Sequence, residues 1–249
     1  MANELILSTD GRLGLPDKIN PHAAMLLERQ TFQRLVPMVP AGSDRLAVLA
    51  AIAVEANKRE LVGCTPRSVA IAGLNCAMLG LSPGGILGMA HFIPYGKICQ
   101  LVIGYKGWTD LAWRGRFLSQ LFVEVVLRGE KYRRWNDEND QHMHHELPPD
   151  RDKQLTWENV LGAYCVWRPR GGKTSTSYVG RDDPKGLAYF YNRAGADSTW
   201  KTDTIAMCLK TPILRASKLW HRTPEIGYAH AMEDAIDMDA PQPASTRRP

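Results

Sequence analysis

Residues 79–114 read LGLSPGGILGMAHFIPYGKICQLVIGYKGWTDLAWR. Two apolar runs within this stretch, Ala90–Pro94 and Ile98–Ile103, have the usual length of a strand. Tyr95-Gly96-Lys97 between them suits a hairpin connection containing glycine. The glycine-rich segment before the hairpin follows a helix end. Gly104-Tyr105-Lys106-Gly107 after it opens another helix, with a cation and two aromatics, Tyr105 and Trp108, just beyond a strand end. Backbone N–H groups at a helix start attract anions, and glycine lets a phosphate approach closely.

Upstream, Asn20-Pro21 supplies an N-cap and a first-turn proline for a helix that should run to about Val36, stopped by Pro37. Ser43 is expected to cap a second helix, with Leu46, Leu49, Ala50 and Ala53 on one side. Thr65-Pro66 caps a third, striped by Val69, Ala72, Gly73, Cys76 and Leu79 and stopped by Gly80. These stripes need a cover, either the sheet or a neighbouring subunit. Downstream, Gln120–Leu127, Lys131–Trp135, Leu155–Trp167 and Ser175–Val179 read as strands. Asn136–Lys153 is polar and aperiodic and reads as a loop. Asp182 or Asp183 with Pro184 should start a helix reaching Arg193, and residues 194–199 form a link. Thr204–Trp220 and Pro224–Asp237 are the last helical segments.

Helices, then meandering strands, then helices again predict an α+β fold with an antiparallel sheet, not the alternating rhythm of a doubly wound one. The domain reading is a flexible segment 1–19, one domain over 20–237 and a disordered tail over 238–249. Within the domain, 20–80 is the helical part and 81–237 the remaining core.

With 44% hydrophobic and 23% charged residues, the 249-residue chain can bury a real core. A net charge of +5 favours an anionic partner such as nucleic acid. The five cysteines, at 64, 76, 99, 165 and 208, are scattered with no CxxC pair, which excludes a disulfide framework or a zinc site of the usual spacing. The first residues carry no basic region followed by an apolar run, and no stretch approaches a membrane span. A reducing cytoplasm is the expected compartment.

Arg170-Gly171-Gly172-Lys173-Thr174 ends like a phosphate-binding loop. The motif needs a glycine where Trp167 stands, and a helix where STSYV follows. It is read as a basic hairpin turn. His142, His144 and His145 lie near Asp137, Glu138 and Asp140, but no closed ligand set for a transition metal is evident. No nucleophile elbow, catalytic carboxylate pair or HExxH helix appears, so neither catalytic nor metal-ligating residues are assigned. Trp108 is read as core, and Trp113, Trp135, Trp157, Trp167 and Trp220 as core or interface. On the helix from Thr204, Leu209, Ile213, Ala216 and Trp220 fall on one face at about 100° per residue. Thr211, Arg215, Lys218 and Arg222 fall on the other, with Lys210 at its edge. A row of cations without acids at helical pitch can follow a sugar–phosphate backbone. Pro212 inside this helix predicts a kink, or a new helix capped by Thr211.

GLSPGG, the AHFIPYG hairpin, QLVIGYKG and DLAWR resemble the RecT/Redβ family of phage-type single-strand annealing proteins. WKTDTIAMCLKTPILRASKLW, from Trp200 to Trp220, resembles the family's C-terminal basic helix. The resemblance runs from about Ala70 to Asp234 and departs from the family at Pro212. It implies a β-sheet with a crossing helix, flanked by helices, assembling into rings or helical filaments on DNA. It implies ATP-independent binding of single-stranded DNA and annealing of complementary strands through a duplex intermediate, with no covalent chemistry. Lys97, Lys106, Arg114, Arg116, Lys210, Thr211, Arg215 and Lys218 would hold backbone, and Gln100 and Tyr105 would pack against sugar or base. No cofactor is required; magnesium is the possible one, at Glu130 or the His142–His145 loop. Homo-oligomers, a partner exonuclease and a host single-strand-binding protein are the implied partners, and no membrane. The alternative is an enzyme or binding protein for a phosphorylated small molecule, using the GYKG turn.

Overall fold

The computed structural model describes residues 19–239, apart from 86, 139, 140, 197, 221 and 222. Nearly all of the expected flexible start, most of the expected tail, and Arg222 of the cationic row lie outside the described residues. In chain order the elements are α1 (Pro21–Leu27), α2 (Arg29–Leu35), α3 (Arg45–Ala56), α4 (Pro66–Leu79), β1 (Ala90–Tyr95), β2 (Ile98–Ile103) and α5 (Tyr105–Arg114). Then come β3 (Leu118–Leu127), β4 (Tyr132–Asn136), β5 (Gln141–His145), β6 (Val160–Pro169), β7 (Ser175–Gly180), α6 (Leu187–Arg193), α7 (Thr199–Thr202), α8 (Thr204–Ser217) and α9 (Pro224–Asp239). The class is α+β, and every strand pair is antiparallel. The chain divides into two compact units, one comprising residues up to Ile103 and from Pro224, the other Gly104–Thr223.

In the first unit, α1, α3 and α4 pack on one another through Ala23, Leu26, Val48, Ile52, Val69 and Ala72, all buried. Most of the stripe residues read from sequence are therefore core packing, but Leu46, read with Leu49, Ala50 and Ala53, is 65% exposed. Asn20 opens α1: its Oδ1 accepts from the Ala23 N–H at 2.9 Å, and its amide donates to the Ala56 carbonyl at 2.8 Å. Its backbone N–H reaches Asn57 Oδ1 at 2.7 Å. One side chain thus starts one helix and ties down the end of another. The single helix expected to Val36 is broken at Glu28, which adopts ψ 133° and whose N–H closes α1 on the Ala24 and Met25 carbonyls. The second cap lies one residue later than expected, at Asp44, whose Oδ1 accepts from the Ala47 N–H. Thr65 and Gly80 bound α4 as read, Gly80 in the left-handed conformation at φ 60°.

The hairpin β1–β2 pairs Ala90 with Ile103 through Tyr95 with Ile98, as the central stretch predicts. It is fastened to the helices by Glu55, a buried carboxylate on α3. Its Oε1 accepts from the Phe92 N–H at 3.2 Å and from Lys58 Nζ at 2.6 Å. Gly84, at φ 61°, has no room for a side chain, since a Cβ there would collide with the Glu55 carboxylate. Helix α9 completes the unit by burying Ile226 and Ala229 and by the Tyr228 hydroxyl donating to Asn75 Oδ1 at 2.7 Å.

The second unit is built on the sheet β3-β6-β7. Val125, Leu127, Val160, Ala163 and Val179 meet Leu187 and Cys208 in a dry core, with Trp157, Trp200, Ile205 and Leu209 at its margin. Helix α8 packs against all three strands, and α5 packs beside it. Three readings are corrected here. Asn136–Lys153 is not all loop, because Gln141–His145 pairs with β4. QHMHH has neither β-branched residues nor an apolar alternation, so only its partner strand makes it extended. The helix expected from Pro184 begins at Leu187: Lys185 has φ 56°, which a helix cannot include, and Asp183 instead accepts from the Gly180 N–H. The strand expected from Leu155 starts at Val160, after short 3-10 turns at Arg151–Gln154 and Trp157–Asn159.

Candidate nucleic-acid interface

Helix α5 opens at Tyr105 after Gly104, an N-cap with no side chain to close the first turn. Trp108 anchors the helix from beneath at 0% exposure, while Lys106 on the outer side is exposed. Tyr105 is half-buried, and burial pushes its phenol up, with the nearby Asp203 and Glu124 adding to the effect. At the far end, Arg114 is tied to Asp110 by an ion pair of 2.7 Å. Arg116 follows in the left-handed region at φ 54°, its side chain exposed and its carbonyl accepting from Arg170 Nε. Trp113 is 43% exposed, the outermost aromatic of this helix.

Helix α8 buries Cys208, Pro212, Ile213 and Ala216, and Trp220 is buried in the turn beyond its end. Arg215 and Lys218 project from the opposite side, both exposed. One N–H of Arg215 is spent on the Lys185 carbonyl at 2.8 Å, which leaves the rest of a five-donor fork available. Pro212 does not start a new helix, because α8 is continuous from Thr204 to Ser217. Proline supplies no N–H to the preceding turn, and the Thr211 hydroxyl donates to the Met207 carbonyl at 2.8 Å beside that gap. Lys210 is only 6% exposed and lies on the inner side of the helix, not at the edge of the cationic row. Its charge is nearer the core than the helical wheel places it.

Helix α5, which carries Tyr105, Lys106 and Arg114, packs on α8, which carries Thr211 and Arg215 with Lys218 just past its end. Lys97 and Gln100 belong to the first unit. Lys97 is exposed in the β1–β2 turn, where its carbonyl accepts from the Thr65 N–H, and Gln100 is half-buried opposite Ile93.

Sequence reasoning missed the outer face of the second sheet. Tyr132 on β4 stacks on Tyr164 and Tyr178, with ring centroids 5.8 and 5.7 Å apart. Beside it Glu130, its side chain 3% exposed, has both oxygens engaged. Oε1 accepts from Arg151 Nε at 2.8 Å; Oε2 accepts from the Leu127 N–H at 2.6 Å and faces His145 Nε2 at 2.9 Å. Burial alone would raise the Glu130 carboxyl, but the bonds from Arg151, Leu127 and His145 outweigh it and hold it below the ordinary carboxylate range. Arg151 also reaches Glu124 at 3.0 Å, and these contacts hold its guanidinium above its usual value despite burial. Arg133 lies over Trp135, and Arg134 over Tyr178. Tyr-Arg-Arg-Trp across from His-Met-His-His was the available signal: cations and aromatics on paired strands.

The fold and surface define the class: a basic α+β protein with exposed cations on α5 and at the end of α8. More particularly, a family model described as the RecT family matches residues 47–244, and the chain belongs to that family. It is 30% identical to Protein RecT of Escherichia coli K12 over 182 residues, 70% of this chain and 65% of that protein. It is 27% identical over 155 residues to the uncharacterized protein YqaK of Bacillus subtilis 168, covering 62% of this chain and 51% of the relative. The matches thus span about two thirds and about half of those relatives' lengths. Among the described residues, no helix is long and apolar enough to cross a membrane.

Proposed function

We propose that this chain binds single-stranded DNA and anneals complementary strands without nucleotide hydrolysis, as a homo-oligomeric ring or filament along the DNA. Family membership supports the recombination role, and the observation that carries the binding surface is the pair α5–α8, both inside the matched region. Annealing makes and breaks no covalent bond. It needs phosphates neutralised by Lys106, Arg215 and Lys218, with Lys97, Arg114 and Arg116 as further contacts, and base edges left exposed for pairing. Gln100 and Tyr105 would pack against sugar or base. Residues 170–174 join β6 to β7 as a hairpin turn, which supports independence from ATP. A partner exonuclease that supplies single strands and a host single-strand-binding protein fit the same reading.

Magnesium does not fit as a resident ion at Glu130. Both carboxylate oxygens already accept protein donors, and a guanidinium lies beside them, which repels a cation. His142 is paired with Asp137, His144 with Glu146 and His145 with Glu130, and among the described residues no group of three or more His, Cys, Asp or Glu is placed to hold a metal ion. The phosphate-site alternative has no support from family membership, which points to recombination.

The test is an annealing assay with purified protein and complementary oligonucleotides, with and without ATP. Annealing at the same rate in both supports the proposal. A strict ATP requirement, or no acceleration over the protein-free rate, overturns it.

A further inference from the structure

We infer that the outer face of the sheet β3-β6-β7 carries a second nucleic-acid contact, a cleft that takes one unstacked base of a single DNA strand. The inference rests on the reading that the chain binds single-stranded DNA. The cleft, of about 340 Å³, is lined by Phe122 and Tyr164 with Gln120, Gln141, His142 and Thr174 at its edges. Phe122 is 44% exposed on a strand whose opposite face is buried in the core. Its ring lies 6.0 Å from that of Tyr164, which backs it from the next strand. An aromatic held open on a rigid sheet is a stacking platform that every base can use.

The polar edges match the rim of a base. Gln141 Oε1 accepts from the Thr176 N–H at 2.5 Å and from the Thr176 hydroxyl at 3.1 Å. That fixes its amide and turns its remaining function to donation. Gln120 offers a second amide and pairs across the strands with Arg168. Arg168 Nε donates to Thr174 Oγ1 at 2.8 Å, which places a guanidinium at the mouth of the cleft, where the phosphate of a stacked nucleotide would lie. Lys173 stands in the same turn. Along the hairpin, Trp135 and His142 stack at 5.1 Å and Arg133 covers Trp135 at 5.2 Å, continuing the aromatic and cationic row. Among the described residues lining the cleft none is Asp or Glu, and Asp137 beside it is tied to His142. The charge pattern suits a polyanion, and stacking on Phe122, which every base can use, suits recognition without sequence preference.

The experiment uses the full chain and fluorescence anisotropy with two probes of equal length and charge, an oligothymidylate and an abasic oligonucleotide. The unaltered protein is expected to bind the base-bearing probe more tightly. Phe122→Ala is expected to weaken binding to that probe about five-fold or more, the least that losing one stacked base costs. Binding to the abasic probe and the salt slope should stay unchanged. Phe122→Tyr, which keeps the ring, should retain affinity. Gln120→Ala, a change at an exposed side chain, should give a smaller loss with the fold intact. Equal losses on both probes, no loss on either, or equal affinity of the unaltered protein for both overturns the cleft and leaves the annealing proposal standing. Failure of the unaltered protein to bind either probe removes the annealing proposal and the cleft with it.

Discussion

Arg215 and Lys218 point outward because Ile213 and Ala216, on the other side of the same helix, are at 0% exposure. Neither cation lies in the core, although Arg215 holds the Lys185 carbonyl. Replacing both by alanine should lower the melting temperature only slightly. It should reduce the slope of log affinity against log salt by about 1.4 on a single strand, and Lys106→Ala by about 0.7, if each touches one phosphate. Titrations of an oligonucleotide at several salt concentrations read this directly; an unchanged slope would remove α8 from the interface. Glu130 is the opposite case, a charge with no outward role. Glu130→Gln removes one partner of a buried ion pair and should lower stability at pH 7 by about 3 kcal/mol. Because the folded carboxyl titrates below its unfolded value of about 4.3, the stability it contributes is complete above that pH. It is lost as pH falls through the lower, folded value. The gap in urea midpoint between the variant and the parent should therefore be smaller at pH 3 than at pH 7. Arg215 and Lys218 were legible from spacing alone, since helical pitch relates them to their own apolar face. Glu130, His145 and Arg151 were not, because their pairing depends on strands that meet only in the folded unit.

At the scale of elements, Asn20 joins two helices. Asn20→Ala removes an N-cap and the tie to the Ala56–Lys58 turn, and should cost about 2 kcal/mol. Asn20→Asp keeps the cap acceptor but loses the amide donors, so it should fall between. Thermal melts of the three proteins, followed by circular dichroism, check the order parent, Asp, Ala. The hairpin β1–β2 was readable because its strands carry their own apolar alternation and their own glycine turn. The bounds of α4 were readable because Thr65, Pro66 and Gly80 act within one turn of themselves. The strand β5 was hidden because its extended form is imposed by β4, and the late start of α6 because Asp183 spends its carboxylate on Gly180 instead of capping a helix. Local chemistry was visible in the sequence; pairing across the chain was visible only where both partners were individually strand-like.

For the whole molecule, the first unit shows apolar side chains on its surface, including Leu46 at 65% and Ile71 at 47% exposure. If self-association uses them, Leu46→Lys with Ile71→Lys should lower the mass of the assembly formed on DNA, measured by light scattering, without changing the melting temperature. An unchanged mass would place the subunit contact elsewhere. The division of the chain has a further consequence for how the protein is made. The first unit leaves off at Ile103 and is resumed only at Pro224, with the whole second unit spelled out in between. On the ribosome, Gly104–Thr223 emerges as one uninterrupted piece and can close as soon as α8 is out. The earlier-born helices must wait for α9 to bring Ile226, Ala229 and Tyr228 to them. The segment translated before the second unit is thus completed after it. A message cut short before Pro224 would leave the earlier-made unit, not the later one, exposed to proteases.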